Sequence, residues 1–101
     1  MTDWKFVKLL RSPVKGKKWR VELFDSSNNK TANVDFGASG YEDMTIHKDE
    51  IRKGLYLARH KANEDWTRSG ILTPGFWSRW LLWNLPSLRA SLQDVKKRFD
   101  L

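Results

Sequence analysis

His47-Lys48-Asp49 places a base, a cation and an acid side by side, a set that can relay protons. Glu42, Asp43 and His60 are near enough in the chain to be weighed with His47 as metal ligands. Neither chemistry has the spacing it needs. A phosphodiesterase of the HxKxxxxD type requires a residue between His and Lys, which this chain lacks, and the usual second copy of that motif is missing. Glu42, Asp43, His47 and His60 follow no zinc or calcium ligand spacing. Gly37-x-x-Gly40 lacks the Gly-Lys-Ser/Thr ending of a phosphate loop. The expectation is no catalytic residue, no metal, no cofactor and no small-molecule substrate, hence no enzyme. His47 is instead expected to cap a helix and anchor a loop.

The remaining chemistry is cationic. Arg52, Tyr56 and Arg59 recur at helical spacing, with Lys53, His60 and Lys61 beside them. Arg and Lys can neutralise phosphates, and an interleaved aromatic can pack on a sugar or base. Trp66 and the strand residues Lys17, Lys18 and Arg20 extend this candidate surface for a nucleic-acid or protein partner. The competing reading is a solvated helix face, or one paired with Glu64, Asp65 and the acids of residues 37–49.

The elements that position these residues follow from apolar periodicity. Residues 4–10 form a short apolar run broken by Lys5 and Lys8, read as a strand, and residues 12–16 carry the Pro and Gly of a turn. Trp19, Val21 and Leu23 alternate with Lys18, Arg20 and Glu22 in a second strand. After the polar loop 25–29, Ala32, Val34 and Phe36 alternate with Thr31, Asn33 and Asp35 in a third. A three-stranded meander with one apolar face needs a covering layer. Residues 37–49 cross over to it, with Gly37 and Gly40 as hinges, Tyr41 and His47 as anchors, and Thr45 or Asp49 as helix cap.

The first predicted helix runs over 48–63, with Ile51, Leu55, Ala58 and Ala62 as its core-facing stripe. A second starts at Thr73-Pro74 and is apolar most of the way round through Phe76, Trp77, Trp80, Leu81, Leu82 and Trp83. Asn84-Leu85-Pro86 breaks it, and Leu88, Leu92, Val95 and Phe99 stripe a third. The expected fold is α+β: a three-stranded antiparallel sheet followed by three helices packed on one face. It forms a single domain, 1–101, divided into a β meander (1–37), a crossover loop (38–47) and a helical part (48–101).

Composition bounds the partners. The 101 residues suit one domain, and 19 Lys plus Arg against 12 Asp plus Glu give a net charge of +7, which favours anionic partners. The chain has no cysteine, which excludes disulfides, thiolate nucleophiles and zinc fingers. Charges interrupt the first residues too often for a signal-peptide core, and no apolar run reaches a membrane span. Six tryptophans are the compositional outlier, read first as core and second as a partner groove.

The series FGASGYEDMTIHKDEIRKGLYLARHKANEDW followed by GFWSRWLLWNLPSLRASLQDVKKRF resembles a group of small basic proteins of large nucleocytoplasmic DNA viruses. The shared features are a Gly-Tyr-acid loop, a Thr-x-His-Lys-Asp step, an Arg-His pair, Ser-Arg-Trp-x-Leu-Trp-Asn-x-Pro and a closing Lys-Arg-Phe. The likeness spans residues 36–99 and implies a viral setting without a reaction. Met44 departs from a common aromatic, Gly54 and Leu55 interrupt a more charged run, and Leu85 replaces a frequent Lys. The more apolar helical half favours protein contacts. The resulting expectation is a non-enzymatic structural protein of a virus particle, a minor capsid or cement-like component that contacts other virion proteins. The alternative is a sequence-nonspecific DNA- or RNA-binding protein using helix 48–63 and the basic N-terminal strands. Either would work in the virion or the host cell interior rather than as a secreted protein.

Overall fold

A computed structural model describes residues 4–101. Three strands, β1 (Phe6–Arg11), β2 (Lys17–Phe24) and β3 (Lys30–Ala38), form an antiparallel sheet in the order β1-β2-β3. Val21 sits opposite Leu9 on one side and Val34 on the other, so the alternating apolar residues of neighbouring strands share one face. Val7, Val21, Leu23, Val34 and Phe36 are buried there. On the opposite face Arg20 grips its cross-strand neighbour Asp35 through two bonds of 2.9 and 3.0 Å, and the Ser12 hydroxyl donates to the same carboxylate at 2.6 Å.

Four helices follow: α1 (Met44–His47), α2 (Glu50–His60), α3 (Pro74–Trp77) and α4 (Leu88–Phe99). The α+β class expected from the sequence is the class observed. Thr73 caps α3 with Pro74 in its first turn, and α3 runs directly into a π-helical turn, Ser78–Leu82. This apolar segment lies on the sheet and α4 packs against the π turn. Phe76, Trp77, Trp80, Leu81, Leu82 and Val95 join the sheet residues in one core. Buried indoles need hydrogen-bond partners: Trp77 Nε1 donates to the Ile71 carbonyl at 2.7 Å, and Trp80 Nε1 to that of Trp66 at 2.9 Å. Arg68 donates to the carbonyls of Trp4 and Phe99, tying the start of the sheet to the end of α4.

The orientation of α2 departs from the sequence expectation. Ile51 and Leu55, predicted to face the core, are 77% and 61% exposed, and Ala58 and Ala62 are exposed with them. The buried residue of α2 is Tyr56, which stacks on Trp83 with ring centroids 4.3 Å apart and planes 5° from parallel. A ring removes more surface from water than an aliphatic side chain and gains stacking energy besides. The helix therefore follows its one aromatic rather than its aliphatic stripe. The crossover, expected to be loop, also contains a short helix. Asp43 accepts the Thr45 N–H at 2.9 Å and starts α1, while Asp49, not Thr45, caps α2 by accepting from the N–H groups of Ile51 and Arg52.

Three substitutions check this packing. A Cβ at Gly70 would lie 1.9 Å from the Asp65 carbonyl oxygen, whereas one at Gly54, inside α2, would meet nothing within 4 Å. Gly70→Ala should therefore cost more than about 2 kcal/mol in urea denaturation, and Gly54→Ala should stabilise by about 0.5–1 kcal/mol through helix propensity. The third concerns acid. The Arg20 hydrogen bond holds Asp35 below the usual carboxylate value, and the Asn84 amide does the same for Asp94. For a lowered folded-state value, the stability contribution is complete above about pH 4 and is lost as pH falls through the folded value. The stability gap between the native chain and Asp35→Asn should thus be largest near neutrality and shrink below about pH 4.

Candidate binding cleft and helix face

The end of β3, the crossover, α2 and the π turn enclose a cleft of about 440 Å3. Local structure brings its walls together. Gly37 has φ +79°, and a Cβ there would stand 2.9 Å from Leu82 Cδ1, so only glycine lets the strand pass the π turn this closely. Lys18, Tyr41, Arg52, Tyr56, Arg59 and His60, all singled out from sequence, line the cleft together with Ser78 and Trp83.

The charged groups around it differ in how far they are engaged. Lys18 Nζ binds Asp43 Oδ2 at 2.7 Å and also donates to the Tyr41 carbonyl, so this lysine fastens β2 to the crossover instead of facing a partner. Arg20 is likewise held by Asp35 on the outer sheet face, and both residues depart from their expected role as free contact cations. Arg52 lies 3.7 Å from Glu42, with both side chains about half exposed, and such a pair contributes only about 0–1 kcal/mol. Lys53 pairs at 4.0 Å with Glu50 and is 19% exposed at its side chain. Arg59 and Lys61 are exposed and make no hydrogen bond or ion pair among the described residues. Lys17 is exposed beside a second, shallower depression that Trp19 and Ile46 also line.

Tyr56 and His60 have structural work that sequence alone did not reveal. Tyr56 lies between Trp83 and His60, whose ring centroid is 4.2 Å away, and is 8% exposed, so its face is not offered to a base. Burial, and then the Glu64 charge, push its hydroxyl above the ordinary tyrosine value. That hydroxyl makes no hydrogen bond to another described residue and opens on the cleft. His60 Nδ1 lies 3.0 Å from Glu64 Oε2, and Glu64 Oε1 accepts from Trp66 Nε1 at 2.8 Å. Trp66 is half-buried and faces the Arg79 guanidinium. Ser78 and His60 both line the cleft, and Glu64 orients the His60 ring.

Of the expected loop anchors, Gly37 and Asp49 hold the geometry described above. Gly40 has φ +87° in open space. His47 Nδ1 accepts the Asp49 N–H at 2.9 Å while its ring tilts against Trp83 at 5.3 Å. Tyr41 is a correction: its ring is 73% exposed, and the buried anchors of the crossover are Asp43 and Met44. Sequence reasoning also missed Arg79, which lies 4.3 Å from the Trp80 ring centre while Arg98 lies 4.5 Å from it. Burial, and then the Arg98 charge, hold Arg79 below the ordinary guanidinium value. The legible signal was a cation interleaved with tryptophans in Trp77-Ser-Arg-Trp80.

The inverted helix has a direct test. Tyr56→Ala should destabilise by about 3–5 kcal/mol, while Ile51→Ala and Leu55→Ala should each stay within about 0.5 kcal/mol of the native chain. Equal losses at all three positions in chemical denaturation would mean that the aliphatic stripe is the packed face.

No curated protein and no solved structure matches this chain. A family described as of unknown function, DUF5754, matches residues 7–60, from β1 through α2. That span is more than half of the 101 residues and holds the sheet, the crossover and the cation-bearing helix; the chain belongs to the DUF5754 family.

Proposed function

We propose that this protein is a non-enzymatic structural component that works by contacting other proteins, as a minor capsid or cement-like part of a large DNA virus particle. The observation that carries the contact role is the outward face of α2, where Ile51 and Leu55 stand in solvent between cationic residues. Isolated exposed aliphatics are common, but a row along one helix stripe is a protein-contact pattern. Further exposed apolar residues, Ile46, Leu72 and Leu85, lie among the basic ones, so the surface is mixed rather than uniformly cationic. The burial of Tyr56 weighs in the same direction, because it removes the aromatic that a nucleic-acid surface on α2 would use for stacking. The particle setting rests on the resemblance of residues 36–99 to the viral group.

A second reading has its own support. Lys8, Arg11, Lys15 and Lys17 are all exposed on the β1–β2 hairpin, and a cluster of this kind binds phosphate backbones without reading sequence. Under that reading, binding to duplex or single-stranded DNA weakens steeply with salt.

Mass spectrometry of purified particles separates the two. The structural reading expects the protein in fixed proportion to the capsid proteins, with cross-links from Lys48, Lys53 or Lys61 to another virion protein. Absence from particles, together with salt-sensitive DNA binding lost on neutralising the hairpin cations, would replace it with the second.

A further inference from the structure

We propose that the outward face of α2 docks an amphipathic helix with acidic flanks, belonging to a different protein. This deepens the structural reading and rests on it. Ile51, Leu55 and Ala58 follow one another on α2 at +4 and +3, the spacing of a coiled-coil seam, Ala62 comes a further +4 on in the turn after the helix, and all are exposed. With these as seam positions, Arg52 and Arg59 fall on one flank and Gly54 and Lys61 on the other. Flank positions choose the partner by charge. Every charged flank residue here is a cation. Arg59 and Lys61 have no acid of their own among the described residues, and Arg52 has only the loose contact with Glu42.

This pattern selects among occupants. A second copy laid on the seam, parallel or antiparallel, would face cations with cations, a repulsive element that disfavours self-pairing. An acidic helix satisfies both flanks and covers the aliphatic row in the same act. The small residues Gly54, Ala58 and Ala62 allow close approach of the partner backbone along the seam. The Arg52 and Arg59 flank is also a wall of the cleft, which Tyr56 lines and into which its hydroxyl opens. A carboxylate on the docked helix can accept from Arg59 and from that hydroxyl together, giving the site a fixed register as well as a charge preference.

The test uses the full chain and two synthetic amphipathic peptides of identical leucine seam, one with Glu and one with Lys at the flank positions. Amide resonances should shift on titration with the Glu peptide at residues 51–62 and leave β1 and β2 unchanged, with no response to the Lys peptide. Leu55→Ser should weaken the Glu peptide by about tenfold or more, and Arg59→Glu should reverse the preference toward the Lys peptide. Neither substitution touches a buried residue, so both variants should keep the native melting curve. Equal binding of both peptides, or shifts lying elsewhere, overturns the proposal. So does failure of the Glu peptide with binding of phosphatidylserine vesicles through the same residues, which would assign the face to a membrane, or self-association abolished by Leu55→Ser, which would assign it to a second copy. Presence in particles without Glu-peptide binding sinks this inference and leaves the structural reading standing. Absence from particles sinks that reading whatever the peptide does.

Discussion

The stack of Tyr56 on Trp83 decides what α2 presents to solvent. Tyr56 is the buried residue of that helix and lies outside the main core built by the sheet, α3, the π turn and α4. One ring pair at 4.3 Å, extended by His60 on one side and His47 on the other, fixes the helix by a single stripe. Because Ile51 and Leu55 are turned by about 140° and about 100° from Tyr56 at 3.6 residues per turn, holding Tyr56 inward leaves both of them in solvent. The contact surface is thus a consequence of the stack and of Asp49, which sets where the helix begins.

The net charge of +7 is less uniform than a count of residues implies. Lys18 and Arg20 are spent on Asp43 and Asp35 within the fold, where they connect strands to the crossover and to each other. Arg79 and Arg98 lie over Trp80, so part of the basic character serves as packing material for aromatic faces. What remains free lies on the β1–β2 hairpin, along the flanks of α2, and on α4 at Arg89 and Lys97. Separate cationic regions, of which only the α2 face carries a row of exposed aliphatics along one stripe, argue against treating the protein as one undivided basic surface.

The sheet was legible because β2 and β3 alternate strictly, the start of α3 because Thr73-Pro74 leaves little choice, and the body of α4 because Leu88, Leu92, Val95 and Phe99 form one stripe. The face of α2 was not legible. Periodicity counts aliphatic residues and cannot weigh them against one tyrosine whose partner, Trp83, lies 27 positions further on. Cation roles were hidden for the same reason, since Asp43 and Asp35 reach Lys18 and Arg20 across strands and loops rather than at local spacing. The cleft residues were nevertheless largely named in advance, because Lys18, Arg52, Tyr56, Arg59 and His60 are polar types at a junction of elements. Their grouping was visible; their internal engagement was not.

The π turn at Ser78–Leu82 carries an evolutionary consequence. A π turn holds one more residue than an α turn, and this one ends its helix, because Trp83 leaves helical geometry. Everything after it is rotated by about 100° relative to an uninterrupted helix. That rotation is what brings Trp83 under Tyr56 while Trp77 and Leu81 stay in the core. A lineage that deleted a single residue here would regain a regular helix and swing Trp83 away from Tyr56. Relatives that keep this turn length should therefore keep the outward face of α2, and relatives that shorten it should have lost that face together with the partner it serves.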